Sequence, residues 1–255
     1  MSTMSRLFIS TVILLALLNA SSASADEVTI ATGHTIIKRI LDPIRCAFKD
    51  KTGLDLKIIY SDPTHSFAEL EKGTVDIAGM SLPLEDWIEL AKKGGVAIKD
   101  TGAYTSYIPV TEKLMIVVNE GNRVKTLSKT QLKEVFTGKI HNWKDVGGDD
   151  APILVVWPSV SSGAMIVFMN KILDNEPLTK AVYDVGTIAE TADAVASTLE
   201  AIGIITGSKS ETGTETKEIA PAIERPLTLV YKKKPSPNLQ KLLDFLHSEG
   251  KLYIK

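Results

Sequence analysis

One cysteine, Cys46, is all the thiol chemistry this chain of 255 residues carries. No intrachain disulfide is therefore possible, even in an oxidising compartment. Cys46 stands in Ile44-Arg45-Cys46-Ala47-Phe48, on an expected helix, where a buried and inert thiol is the favoured reading. Aromatic residues are sparse at 6% and histidine occurs four times. An excess of cations is missing too, since 29 Lys and Arg face 31 Asp and Glu. That balance leaves no electrostatic footprint for nucleic acid. The chain also lacks a G-x-S-x-G elbow, an H-E-x-x-H pair and a Ser/His/Asp set on adjacent elements. These absences weigh against a secreted hydrolase. Internal repeats and low-complexity segments are absent as well, so stability has to come from an apolar core.

Long apolar runs are scarce, and the one at the start has a specific form. Arg6 gives a basic beginning, Leu7–Leu18 an apolar centre, and Ala23-Ser24-Ala25 a small-residue cleavage site before Asp26. The run is short for a membrane span. The pattern predicts a cleaved export segment over residues 1–25 and a soluble periplasmic product. No cysteine stands at the cleavage site to carry a lipid. Removing 25 of 255 residues leaves 230, and the net charge moves from −2 to −3 as Arg6 is lost. A chain of that size fills one large domain or two small ones.

Along the rest of the chain, short apolar strands alternate with polar loops and helical stripes. Glu27–Ala31 reads as a strand, Thr32-Gly33-His34-Thr35 as a polar loop, and Ile36–Lys51 as a helix closed by Gly53. Pro43 inside that stripe predicts a kink or a late start. Leu54–Tyr60 is a second strand, followed by a polar loop over Ser61–Ser66 and a short helix over Phe67–Lys72. Val75–Ala78 is a third strand, ending at Gly79-Met80-Ser81. Three such units in succession predict a parallel sheet with its loops gathered at the strands' carboxyl ends. Further on, Glu85–Lys93, Gln131–Phe136, Thr191–Glu200 and Leu239–Leu246 read as helices. Val96–Lys99, Tyr107–Val110, Lys113–Asn119, Ala201–Ile205 and Leu227–Tyr231 read as strands, and Ser208–Glu218 as a solvated loop.

The stretch Ile153–Phe168 concentrates the chemistry. A strand over Ile153–Trp157 is stopped by Pro158 and followed by Ser159, Ser161, Ser162 and Gly163, where a helix begins. A strand feeding a Ser/Gly loop that opens a helix presents free backbone N–H groups, a positive dipole end and hydroxyls. This suits a small anion or another acceptor-rich ligand. His34 and His65 lie on two further loops expected to face each other. Two histidines without a third ligand do not specify a metal site. Trp157 is expected to pack rather than to stack on a ligand.

The run LSKTQLKEVFTGKIHNWKDVGGDDAPILVVWPSVSSGAMIVF, Leu127–Phe168, resembles the phosphate-binding subunit of bacterial phosphate ABC transporters. That family of type II periplasmic solute-binding proteins carries a helix ending in F-x-G-K, then N-W-x-D-x-G-G, a strand and a Ser-Gly helix start. KGTVDIA at Lys72–Ala78, Ala201-Ile202-Gly203 and Arg225-Pro226-Leu227 recur in the same order. The resemblance implies an α/β fold of two lobes with an interlobe cleft and two crossover segments. Lobe one would take residues 26–110 plus 207–255, and lobe two residues 111–206. The crossovers would fall near Ile108–Lys113 and Thr206–Arg225.

The resemblance also implies where a ligand would sit: Gly33, His34, Thr35, Thr64, His65, Ser66, Ser81, Ser159, Ser161, Ser162 and Gly163. Phosphate binders of the family place an arginine four residues before the serine of the Ser-Gly pair, and here that position is Pro158. The threonine expected after the glycine is Ala164. The acidic residue that accepts phosphate's proton aligns with Ser81. Charge, hydroxyl and carboxylate are all replaced, which implies another oxyanion or a small polar organic acid as ligand. The implied protein is a monomer, not an enzyme, needing no cofactor and no metal. Its partners are the small ligand and an ABC importer membrane subunit or a sensor. A hydrolase, or a ligand-free scaffold on the same fold, is the alternative.

Overall fold

The computed structural model describes residues 26–159, 163–207 and 215–254. The expected export segment lies outside them, and so do Ser161 and Ser162 of the serine loop. β1 (Glu27–Thr32) leads into a helical turn over His34–Ile36, a π-helical turn over Ile37–Leu41, and α1 (Asp42–Thr52). Pro43 explains the widened turn. It has no N–H for the carbonyl four residues back and its ring crowds that carbonyl, so the backbone opens before the regular helix starts. Gly53, at φ 73°, closes α1 in the left-handed conformation.

β2 (Asp55–Tyr60) is followed at once by α2 (Pro63–Lys72). The polar loop expected over Ser61–Ser66 is thus only two residues long. Asp62 caps α2 by accepting from the backbone N–H of Thr64 and His65, and Pro63 starts the helix without needing a partner. Thr64, His65 and Ser66 are helical. β3 (Ile77–Met80) and α3 (Leu84–Lys93) complete this half. Val96–Lys99 forms no strand.

β4 (Tyr104–Asn119) is one strand of 16 residues where two were expected. Its register slips between Tyr107 and Val110, beside Pro109, which has no N–H to give the ladder. The second half follows with α4 (Lys129–Phe136), β5 (Leu154–Pro158), α5 (Gly163–Lys171), β6 (Val182–Val185) and α6 (Ile188–Ser197). Ser128 caps α4 in a reciprocal box with Gln131. β6 was not expected from sequence, and as a short half-exposed edge strand it shows no alternation to read. β7 (Ala201–Thr206), β8 (Thr216–Glu218), β9 (Ile223–Lys232) and α7 (Pro237–His247) finish the chain.

Among the described residues nine strands form one curled sheet, in the order β2-β1-β3-β9-β4-β7-β5-β6, with β8 beside β4. β1 pairs parallel with β2 and β3, and β5 pairs parallel with β6 and β7. β9 and β4 run antiparallel to each other along most of their length. They carry the chain between the two parallel halves, which makes them the crossovers. One core gathers Ile30, Ile44, Phe48, Leu229, Leu242 and Phe245 between α1, α7 and the sheet. Another gathers Leu114, Phe136, Trp143, Trp157, Phe168 and Ile204 in the second half. Each such side chain stabilises the fold by roughly 1.5–3 kcal/mol through burial.

Cys46 corrects an expectation, because it is exposed. Ile44, Ala47 and Phe48 turn one face of α1 to the core, and Cys46 falls on the opposite side. Gly203 on β7 is required by close packing. A Cβ placed there would stand 2.4 Å from Cγ2 of Thr191 and 3.1 Å from Cγ2 of Val195. Gly203→Ala is expected to lower stability by about 1–3 kcal/mol through overpacking. A reduced urea midpoint with an unchanged slope would show it.

Candidate functional site

The three loop ends after β1, β2 and β3 meet because their strands are parallel neighbours. Thr32, wholly buried, donates from Oγ1 to the Gly79 carbonyl at 2.6 Å and ties the end of β1 to β3. The Ser61 N–H donates to the Thr32 carbonyl at 2.9 Å and draws in the end of β2. A Cβ at Gly33 would stand 3.6 Å from both Sδ of Met80 and the Ser61 carbonyl oxygen. Gly33 is thus the meeting point of the three.

The second half reaches the same place through α5. A Cβ at Gly163 would lie 2.8 Å from the Ser81 carbonyl oxygen and 3.1 Å from Cβ of Ser81. Only glycine fits there. Ser81 is 2% exposed and Gly163 is buried. Thr228 on β9 donates from Oγ1 to the Leu82 carbonyl at 2.6 Å and fixes the segment that carries Ser81. α5 also sends Val167 into the core around Phe67 and Trp87 of the first half. The two halves are therefore closed on each other at Ser81 and Gly163.

The remaining expected ligand residues take different positions. His34 is exposed and Thr35 half-buried at the first turn after Gly33. Thr64 packs against Gly94 at the far end of α3, where a glycine Cβ would stand 2.4 Å from its Cγ2. Ser66 is wholly buried and donates to the Pro63 carbonyl. Ser159 donates from its hydroxyl to the Val185 carbonyl at 3.0 Å, across the β5–β6 pair. His65 is exposed, with Nδ1 at 2.5 Å from Oδ2 of Asp62. Gly163 meets Ser81, and Gly33 lies beside Met80 and Ser61, whereas Thr64, Ser66 and Ser159 make other contacts. Among the described residues no group of three or more His, Cys, Asp or Glu converges as a metal site.

Burial alone would raise the Asp62 carboxyl, but the His65 N–H and ring and the Thr64 N–H hold it below the usual carboxylate range. Asp62 therefore contributes stability above the ordinary carboxylate pKa and loses it as pH falls through its own lowered value. Asp62→Ala is expected to cost about 0.5–2 kcal/mol at neutral pH, as for other N-caps. The difference from the parent should shrink in acid. Melting curves across pH check this.

Sequence reasoning missed a buried ion pair on the crossover strands. Glu112 and Arg225 are cross-strand partners in the β4–β9 register. They are 5% and 1% exposed, and Nη2 of Arg225 donates to Oε2 of Glu112. Nε of Arg39 lies 3.9 Å from the other oxygen of Glu112. Nε and Nη1 of Arg225 find no hydrogen-bond partner among the described residues. Burial pushes the Arg225 guanidinium down and Glu112 opposes that. The Arg225-Pro226-Leu227 motif marked the place without showing the carboxylate it meets.

A family model described as a PBP superfamily domain matches residues 19–220. The phosphate-binding protein PstS of Bacillus subtilis (strain 168) is 27% identical over 161 residues, covering 61% of this chain and 51% of that protein. PstS of Staphylococcus epidermidis is 32% identical over 116 residues, covering 44% of this chain and 34% of that protein. The matches thus span about half or less of these relatives' length. Among solved structures, an ABC-type phosphate transport receptor from Vibrio cholerae superposes with a TM-score of 0.71 at 22% identity, over 89% of this chain and 96% of that one. A putative phosphate ABC transporter substrate-binding protein with bound phosphate, from Clostridium perfringens, gives 0.68 at 24% identity, over 88% and 94%. With its parallel halves, its two crossover strands and a family model that matches most of its length, the chain belongs to the PBP superfamily.

Proposed function

We propose that this protein is an exported receptor that holds one small polar ligand between its two halves and releases it unchanged. The observation that carries this reading is the contact of Ser81, after β3, with Gly163 at the start of α5, Gly33 lying beside the neighbouring Met80. Parallel strands from both halves would deliver backbone N–H groups and a helix N-terminus to one region, which would suit an acceptor-rich solute. Opening about β4 and β9 would admit the ligand, and closure would bury it. The lobes that move would be residues 26–110 with 207–255, and residues 111–206. The ligand class is an oxyanion or a small polar organic acid, because Pro158, Ser81 and Ala164 stand where phosphate binders carry charge and hydroxyl. The receptor would act as a monomer in the periplasm and pass its ligand to an ABC importer subunit or a sensor.

The test is a thermal-shift panel of oxyanions and small organic acids on the protein lacking residues 1–25, followed by calorimetry on each hit. Specific binding raises the melting temperature by mass action. One-to-one binding with the compound recovered intact supports the reading. Turnover that disappears in Ser162→Ala would overturn it.

A further inference from the structure

Outside the Gly33–Ser81–Gly163 point, the two halves leave a groove of about 460 Å³ between α3 and α5. That volume falls in the range of small-molecule sites. Its apolar wall comes from Leu90 on α3, Met165, Ile166 and Met169 on α5, Trp157 at the end of β5, and Leu178. Two of these are methionines, whose unbranched thioethers adapt to irregular apolar shapes. The polar lining is unequal in charge. Asp86, Glu89 and Lys93 follow Leu90's face along α3 at helical spacing, and Asn170 and Asn175 add neutral amides. None of Asp86, Glu89 and Lys93 forms an ion pair among the described residues. Asp86 and Glu89 lie one turn apart toward the start of α3, and Lys93 a further turn beyond.

We infer that this groove binds a small organic cation, an amine with an aromatic or branched apolar body. The apolar body would lie against Trp157 and the methionines, with its ammonium at Asp86 and Glu89. Charge complementarity selects the cation: two carboxylates without an ion pair among the described residues stand toward the start of α3, against one ammonium toward its end. A carboxylate that accepts from an ammonium makes a charge-assisted hydrogen bond that a neutral isostere cannot supply. Because α3 belongs to the first half and α5 to the second, an amine held there touches both. It would therefore also favour the closed arrangement. An amine site here does not rest on the proposed solute function.

The experiment is titration calorimetry of the protein lacking residues 1–25 with 2-phenylethylamine. 2-Phenylethanol and 3-phenylpropionate serve as neutral and anionic counterparts. Tryptophan fluorescence is followed in parallel, since Trp157, a core residue 8% exposed, also lines the groove, whereas Trp87 and Trp143 do not line it. The amine should bind, and the alcohol and the acid should bind at least about tenfold more weakly, as expected when a charged hydrogen bond is lost. The Asp86→Asn/Glu89→Gln double variant should weaken the amine by a similar factor while its melting temperature stays near the parent's. Lys93→Gln should leave the amine's affinity unchanged or raise it. Equal binding of the three probes, a loss in Lys93→Gln, or no amine binding to the well-folded parent would each overturn the inference.

Discussion

Glu112→Ala is expected to destabilise the protein by about 3–5 kcal/mol, the usual cost of leaving a buried charge without its partner. Arg225 is 1% exposed and already has two nitrogens without hydrogen-bond partners among the described residues. Without Glu112 the guanidinium would keep its charge in a site that no longer offsets it. Urea denaturation reads the loss as a fall in midpoint. A control separates electrostatics from packing. Replacing both residues, Glu112→Leu with Arg225→Met, removes the charge along with its partner and should recover most of the stability. Glu112→Ala at parental stability would mean that water reaches Arg225 and that the pair is not buried in solution.

This pair also shows where the sequence was legible and where it was not. The β1, β2 and β3 units could be read because each strand is bounded by Gly or polar loops and followed by a helical stripe. Their parallel pairing followed from the connections. Pro43 announced an irregular start to α1, and the structure shows a π-helical turn before it. The crossovers were harder. β4 was read as two strands because Pro109 interrupts the pattern, yet the ladder absorbs it with a register slip. Nothing local to Glu112 points to Arg225, since the two are 113 positions apart and meet only through sheet pairing.

The contacts of the candidate site residues follow from topology in a similar way. Gly163 meets Ser81 because backbone topology brings the two halves together there. Side chains judged by polarity alone fared differently. Asp62 and Pro63 start α2 earlier than its apolar stripe suggests, which turns Thr64 toward Gly94 and buries Ser66. Cys46 was misread because an apolar neighbourhood in sequence is not one face of a helix. The α3–α5 groove lies between elements from opposite halves, so no single segment could reveal it.

Phosphate is expected to bind this protein weakly or not at all. By the resemblance drawn from sequence, Pro158, Ala164 and Ser81 would occupy the positions of an arginine, a threonine and a proton-accepting carboxylate. In this chain Pro158 ends β5, Ala164 is wholly buried in the second core, and Ser81 is pressed against Gly163. None of the three can supply a charged contact. A hydrogen bond to a charged group contributes roughly 1.5–3 kcal/mol, so the missing arginine alone should weaken binding by about one to two decades. The missing carboxylate removes a further contact that hydrogen phosphate needs.

Titration calorimetry of phosphate into ligand-stripped protein lacking residues 1–25 tests the central claim most directly: a solute receptor of this fold whose ligand is not phosphate. A dissociation constant above about 10 μM, equivalent to binding weaker than roughly 7 kcal/mol, or no heat at all, is the predicted result. A submicromolar constant at one-to-one stoichiometry would contradict it and return phosphate to this cleft.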